Sequence, residues 1–180
     1  MTTSRQLAEQ VLASLPPRSL ESTLFNLAHA YAIAADASRK TGEQTGNTDL
    51  TAPAIMCESF AIELLLKFFL AIDHPTATTV EALKAAGVKL KCHKYSELFD
   101  QTSAPTKQKI AAVYARISGK EAGVADFREA LVAQGDDPFV YWRYVYETAG
   151  TSHFDFSAFH QVVDSLGKAA EAERQRVSNR

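Results

Sequence analysis

At 180 residues the chain is about the size of one domain and can bury most of its apolar surface without help from metals or disulfides. Its 46% hydrophobic content and formal net charge of -2 are those of a globular protein, which excludes a disordered or fibrous chain and leaves no overall basic excess for phosphate binding. Cys57 and Cys92 fit neither a zinc pattern nor a CxxC redox pair, and they read as buried thiols.

The opening stretch, MTTSRQLAEQVLASLPP, lacks the apolar centre of a signal peptide. Leu7 and Val11 instead mark a short amphipathic helix over residues 1–17, ended by Pro16 and Pro17, and the chain is expected in the cytoplasm. Ser19 is placed to cap a second helix, on which Leu20, Leu24, Leu27, Tyr31 and Ala34 form one apolar stripe. Residues 41–49, TGEQTGNTD, read as a polar loop. Thr51 and Pro53 open the next helix, which runs to about Asp73. Its most apolar run, residues 60–72, is too short for a membrane span and carries Glu63 and Lys67. Ser59, Glu63 and Lys67 recur every four residues, a narrow polar stripe on an otherwise apolar cylinder, and such a helix belongs in the middle of a bundle.

Thr78 and Glu81 have the spacing of a capping box for a short helix ended by Gly87. Tyr95, Leu98 and Phe99 make one or two amphipathic turns. Ile110, Val113, Tyr114 and Ile117 mark a helix closed by Gly119, and Phe127, Ala130 and Leu131 another closed by Gly135. The last helix carries Phe156, Phe159, Val163, Leu166 and Ala170 on one face, with Ser152 and Asp155 as its capping box. Between these lies DDPFVYWRYVYETAG, residues 136–150, which is expected to be a short helical turn running into irregular chain. No strand pattern competes, and the expected fold is all-α: a single up-and-down bundle of about four to five main helices plus short ones. One domain spans 1–180, with 175–180 a frayed tail.

The common chemical motifs are absent. There is no GxGxxG, Walker loop, HExxH or GxSxG, so dinucleotide binding, NTP hydrolysis, zinc proteolysis and serine esterase chemistry lose their usual signals. No cofactor and no metal site is expected, since His29, His74, His93, His153 and His160 lack paired ligand spacings. Asp136 and Asp137 are explained by a Gly-Asp-Asp-Pro turn better than by acid–base work. The segment LKAAGVKLKCHK, residues 84–94 with its leading leucine, gathers Lys84, Lys89, Lys91, His93 and Lys94. It is either a solvated face or a nucleic-acid surface.

Three segments in order resemble the HEPN-like helical family: ESFAIELLLKFFLAI its Glu-x-x-x-Lys helix, CHKYSELF its Gly-His-x-Leu-x-x-Leu segment, and FVYWRYVYE its Phe-x-x-x-Arg-Tyr-x-Tyr-Glu segment. The resemblance implies an all-helical bundle, often a homodimer, in a family tied to RNA cleavage, nucleotide binding, toxin–antitoxin pairs and defence. The ribonuclease signature of that family is an arginine with a histidine about four to six residues further on, a cation for the phosphorane and an imidazole to move protons. No arginine here has a histidine at that spacing; Arg143 and His153 are ten apart. Cys92 also replaces the glycine before His93.

Glu63, Lys67, His93, Arg143 and Glu147 are expected to meet between helices, packed by Tyr95, Trp142, Tyr144 and Tyr146, with Arg143 paired to Glu63. Such a cluster either fixes helix register or lines a groove for RNA or a nucleotide, and exposure of His93 or Arg143 distinguishes the two. The expected function is a HEPN-like binding or interaction module without a recognisable catalytic motif, with RNA or a nucleotide as candidate ligand. The alternative is a metal-independent ribonuclease using His93 or His153 as acid or base and Arg143 as phosphate cation. A further alternative is a structural module for a cognate protein partner, docking through the first or last helix.

Overall fold

The computed structural model describes residues 19–135 and 155–178. Every regular element among them is helical and none is a strand. In chain order these are α1 (Leu20–Thr45), a 3-10 turn (Thr48–Leu50), α2 (Thr51–Asp73), α3 (Val80–Ala85), α4 (Tyr95–Asp100), α5 (Ala104–Ser118), α6 (Val124–Ala133) and α7 (Phe156–Ser178).

The ends of these helices follow from side-chain chemistry. The hydroxyls of Ser19 and Ser103 accept from the backbone N–H three residues on, taking up donors the first helical turn leaves unpaired. At α3 the cap is Thr79, whose hydroxyl accepts from the Ala82 N–H at 3.1 Å, so the expected Thr78 box is displaced by one residue. Asp155 caps α7 through the Ala158 N–H at 3.0 Å, while Ser152 lies outside the described residues.

Two expectations for α1 are corrected. The helix runs through most of the presumed 41–49 loop and stops only at Gly46, whose φ of 68° is left-handed and whose N–H closes onto the Gly42 carbonyl. Local bonds carry this extension, from Arg39 to Glu43 at 2.8 Å and from the Thr45 hydroxyl to the Thr41 carbonyl at 2.7 Å. The buried face of α1 is also rotated from the expected stripe. Phe25, Ala28 and Ala35 are buried while Leu27 and Ala34 are exposed, because alanines let α1 lie close along α2 where leucines would hold it off.

α2 is the axis of the bundle, apolar almost all round and in contact with α1, α4 and α7. Ile55, Ile62, Leu66, Phe68, Phe69 and Leu70 are fully buried on it. α5 packs on α6 and α7, and α4 joins the two halves, with Phe99 stacked edgewise on Phe127 at 5.2 Å between ring centres. Phe159, Val162, Leu166 and Ala170 bury the inner face of α7, but Phe156 at its first turn is exposed, against expectation. No helix among the described residues is long and apolar enough to cross a membrane.

Candidate functional site

The polar stripe of α2 meets a single loop. Glu63 is only 2% exposed, and each of its oxygens accepts one bond: Oε1 from Lys67 Nζ at 2.5 Å and Oε2 from His93 Nδ1 at 3.1 Å. A carboxylate only accepts, so the bond assigns the proton to Nδ1 and leaves Nε2 as the outward nitrogen. Lys67 is 14% exposed and sits inside the packing, whereas the His93 side chain is 54% exposed. Glu63 therefore joins a half-buried cation to an accessible imidazole.

The loop reaches Glu63 because both of its ends are tied. After α3, Gly87 takes a φ of 88° that turns the chain, and buried Val88 bonds back to the Leu83 carbonyl. The Lys89 N–H donates to Gln101 Oε1 at 2.7 Å. At the far end fully buried Tyr95 donates its hydroxyl to the Ser59 carbonyl at 2.6 Å, one turn before Glu63 on α2. The backbone between needs no glycine, since no residue other than glycine has positive φ among the described residues, and Cys92 is accommodated with Sγ 3.2 Å from Glu97 Oε2. Beside Tyr95 the hydroxyl oxygen of Ser59 is buried without a hydrogen-bond partner.

The same loop presents a cluster of positive charge. Lys89 and Lys91 are exposed with no ion-pair partner among the described residues, and Lys94 lies 3.7 Å from Glu97. Of the residues expected to cluster, Glu63, Lys67, His93 and Tyr95 do come together. Tyr95, however, is spent on a carbonyl in the core and offers no face for stacking. Trp142, Arg143, Tyr144, Tyr146, Glu147 and His153 lie outside the described residues, and so does the expected Arg143 to Glu63 pairing.

Sequence reasoning passed over two other polar sites. Asp73, at the end of α2, accepts from the Ser103 N–H at 2.6 Å, the Ser103 hydroxyl at 2.8 Å and the Thr106 hydroxyl at 2.7 Å, which pins the start of α5 to α2. In the first half of α2, Glu58 Oε1 lies 3.1 Å from His160 Nδ1 of α7. Burial pushes the Glu58 carboxyl above the usual range, with His160 pulling the other way. Neither pair has a local signature, because the partners are separated by tens of residues. Of the other histidines, His74 bonds the Leu70 carbonyl through Nδ1, and His29 stacks on Phe25. Cys57 and Cys92 form no disulfide and are half-buried rather than buried; burial raises the Cys57 thiol. No three His, Cys, Asp or Glu side chains are grouped to hold a metal ion among the described residues.

Among the described residues lie an open cavity of about 670 Å³ between α1 and α7 and another of about 470 Å³ where α1, α2 and α7 meet. Neither is lined by Glu63 or His93. Comparison of the chain with protein-family models, curated proteins and solved structures returns no match. The fold and site thus define an all-α helical bundle with an oriented surface histidine in a basic loop.

Proposed function

We propose that the protein is a HEPN-like up-and-down bundle that binds single-stranded RNA through the loop from Val88 to Lys94. The observation that carries this reading is the posture of His93. A ring needed only to fix helix register would be packed away, but this one is more than half exposed and fixed in tautomer by a buried carboxylate. Lys89 and Lys91 stand exposed in the same loop and donate to phosphate, while the Nε2 lone pair of His93 accepts from an adjacent ribose 2′-hydroxyl. Buried Tyr95 offers no stacking, so the contact is to the sugar–phosphate backbone and is weakly selective for base.

Binding without cleavage is favoured over ribonuclease activity because no arginine of the chain stands four to six residues before a histidine, the spacing of the family's ribonuclease signature. The test is fluorescence anisotropy of a labelled single-stranded RNA across a salt series, with intact RNA confirmed on a denaturing gel. Affinity should fall with salt, and Lys89→Gln with Lys91→Gln should lower the log–log slope by about 1.4, from about 0.7 per phosphate contact. An unchanged slope removes the loop from the interface. Cleavage lost in His93→Ala would convert the reading to a ribonuclease.

A further inference from the structure

The 470 Å³ cavity is built from the second half of α1, the 3-10 turn, the start of α2 and the start of α7. Its walls carry Arg39 and Glu43 from α1, Ile55 and Glu58 from α2, and Phe156 and His160 from α7. The charges on these walls are unequally compensated. Arg39 already has two carboxylate partners, with one guanidinium nitrogen 2.6 Å from Asp36 and another 2.8 Å from Glu43. It has little left for an incoming anion. Glu58 is the opposite case: its side chain is 16% exposed, its bonded partner is an imidazole, Arg39 attracts it without a bond, and Asp164 adds negative charge nearby. Burial outweighs the attraction of both His160 and Arg39 and holds the Glu58 carboxyl above its usual range, so the carboxylate is left short of counter-charge.

We propose that this cavity binds a small organic ammonium on an apolar or aromatic stem, with Glu58 as the group that recognises the charge. The ammonium sets a permanent positive charge against Glu58, and Ile55 and Phe156 receive the stem. The volume falls within the range of small-molecule sites. A bare metal ion fits poorly, since no third ligand stands with Glu58 and His160 among the described residues. The site is separate from the Glu63 loop and does not depend on the RNA reading.

Three isosteric probes test the charge directly: benzylamine, benzyl alcohol and benzoate, titrated into the full chain and followed by backbone amide chemical shifts. Benzylamine alone should shift Thr51, Ile55, Glu58 and His160 with saturation, and Glu58→Gln should weaken it by about tenfold or more, the loss of one charge-assisted contact. Benzoate binding as well as benzylamine, equal affinity for all three probes, or undiminished binding in Glu58→Gln overturns the proposal, as does the absence of any saturable shift. Should Glu58→Gln fail to fold by circular dichroism, Thr51→Phe serves instead, because Thr51 is exposed on the cavity wall and a larger side chain occludes the space. Benzylamine binding that survives Thr51→Phe unchanged contradicts the assignment.

Discussion

Glu63→Gln is the sharpest test of the clasp between α2 and the loop. The substitution keeps size and shape but removes the charge that both Lys67 and His93 address. The His93 share is small, because its side chain is 54% exposed and solvent screens it, so it contributes no more than about 1 kcal/mol. The Lys67 share is larger, since a charge-assisted bond at a site 2% and 14% exposed is worth about 1.5–3 kcal/mol. A total loss of about 2–3 kcal/mol is expected, a large fraction of a typical domain's stability. Adding Lys67→Met should recover part of it, because removing both charges costs less than orphaning one. Urea denaturation followed by far-UV circular dichroism measures both variants and the double mutant. A loss below about 0.5 kcal/mol in Glu63→Gln, or strict additivity in the cycle, would refute the clasp.

Other substitutions probe separate parts of the structure. Asp73→Ala should cost about 2 kcal/mol in urea denaturation, since it removes three bonds that anchor the start of α5, and a change under about 0.5 kcal/mol would show the anchor to be idle. Ser59→Ala should be neutral or stabilise by up to about 1 kcal/mol, because it deletes a buried hydroxyl without a partner; a clear loss would reveal a bond to that oxygen. Glu58 makes stability depend on pH in a defined direction. Its folded carboxyl is raised, chiefly by burial, so at neutral pH it subtracts stability, and the penalty is relieved as pH falls through the raised value toward about 4.3, where the unfolded carboxyl protonates. Glu58→Gln should therefore equal or exceed wild type at neutral pH and lose that advantage on acidification. A gap that widens in favour of the variant at low pH would contradict the sign.

Much of the fold is legible in the sequence because its signals are local. The N-cap at Ser19, the left-handed glycines at 87, 119 and 135, and the all-round apolarity of α2 are each set by neighbours a few residues away. The rotation of α1 is not local. Its buried line is chosen by how closely α2 can approach, and Ala28 and Ala35 win over larger Leu27 for that reason. The same division holds at the site. Glu63 and Lys67 are visible as an i, i+4 pair on an apolar helix, and the lone polar stripe demands a partner from elsewhere. His93, thirty residues on, was expected beside them, but its direct bond to Glu63 follows only once Gly87 turns the loop and Tyr95 fastens it to Ser59. Glu58 and His160 gave no such hint, because neither interrupts a pattern and their meeting depends on how α7 returns to α2.

The most direct measurement is the imidazole resonances of His93 during titration with a short single-stranded RNA, assigned through the His93→Gln variant. Binding through the loop should shift the outward Nε2 and its adjacent ring carbon with saturation, leave the Glu63-bonded Nδ1 in place, and shift the Lys89 and Lys91 amides together with it. RNA that binds while the His93 ring and those amides stay unmoved, or that does not bind at all, would contradict the proposed contact face.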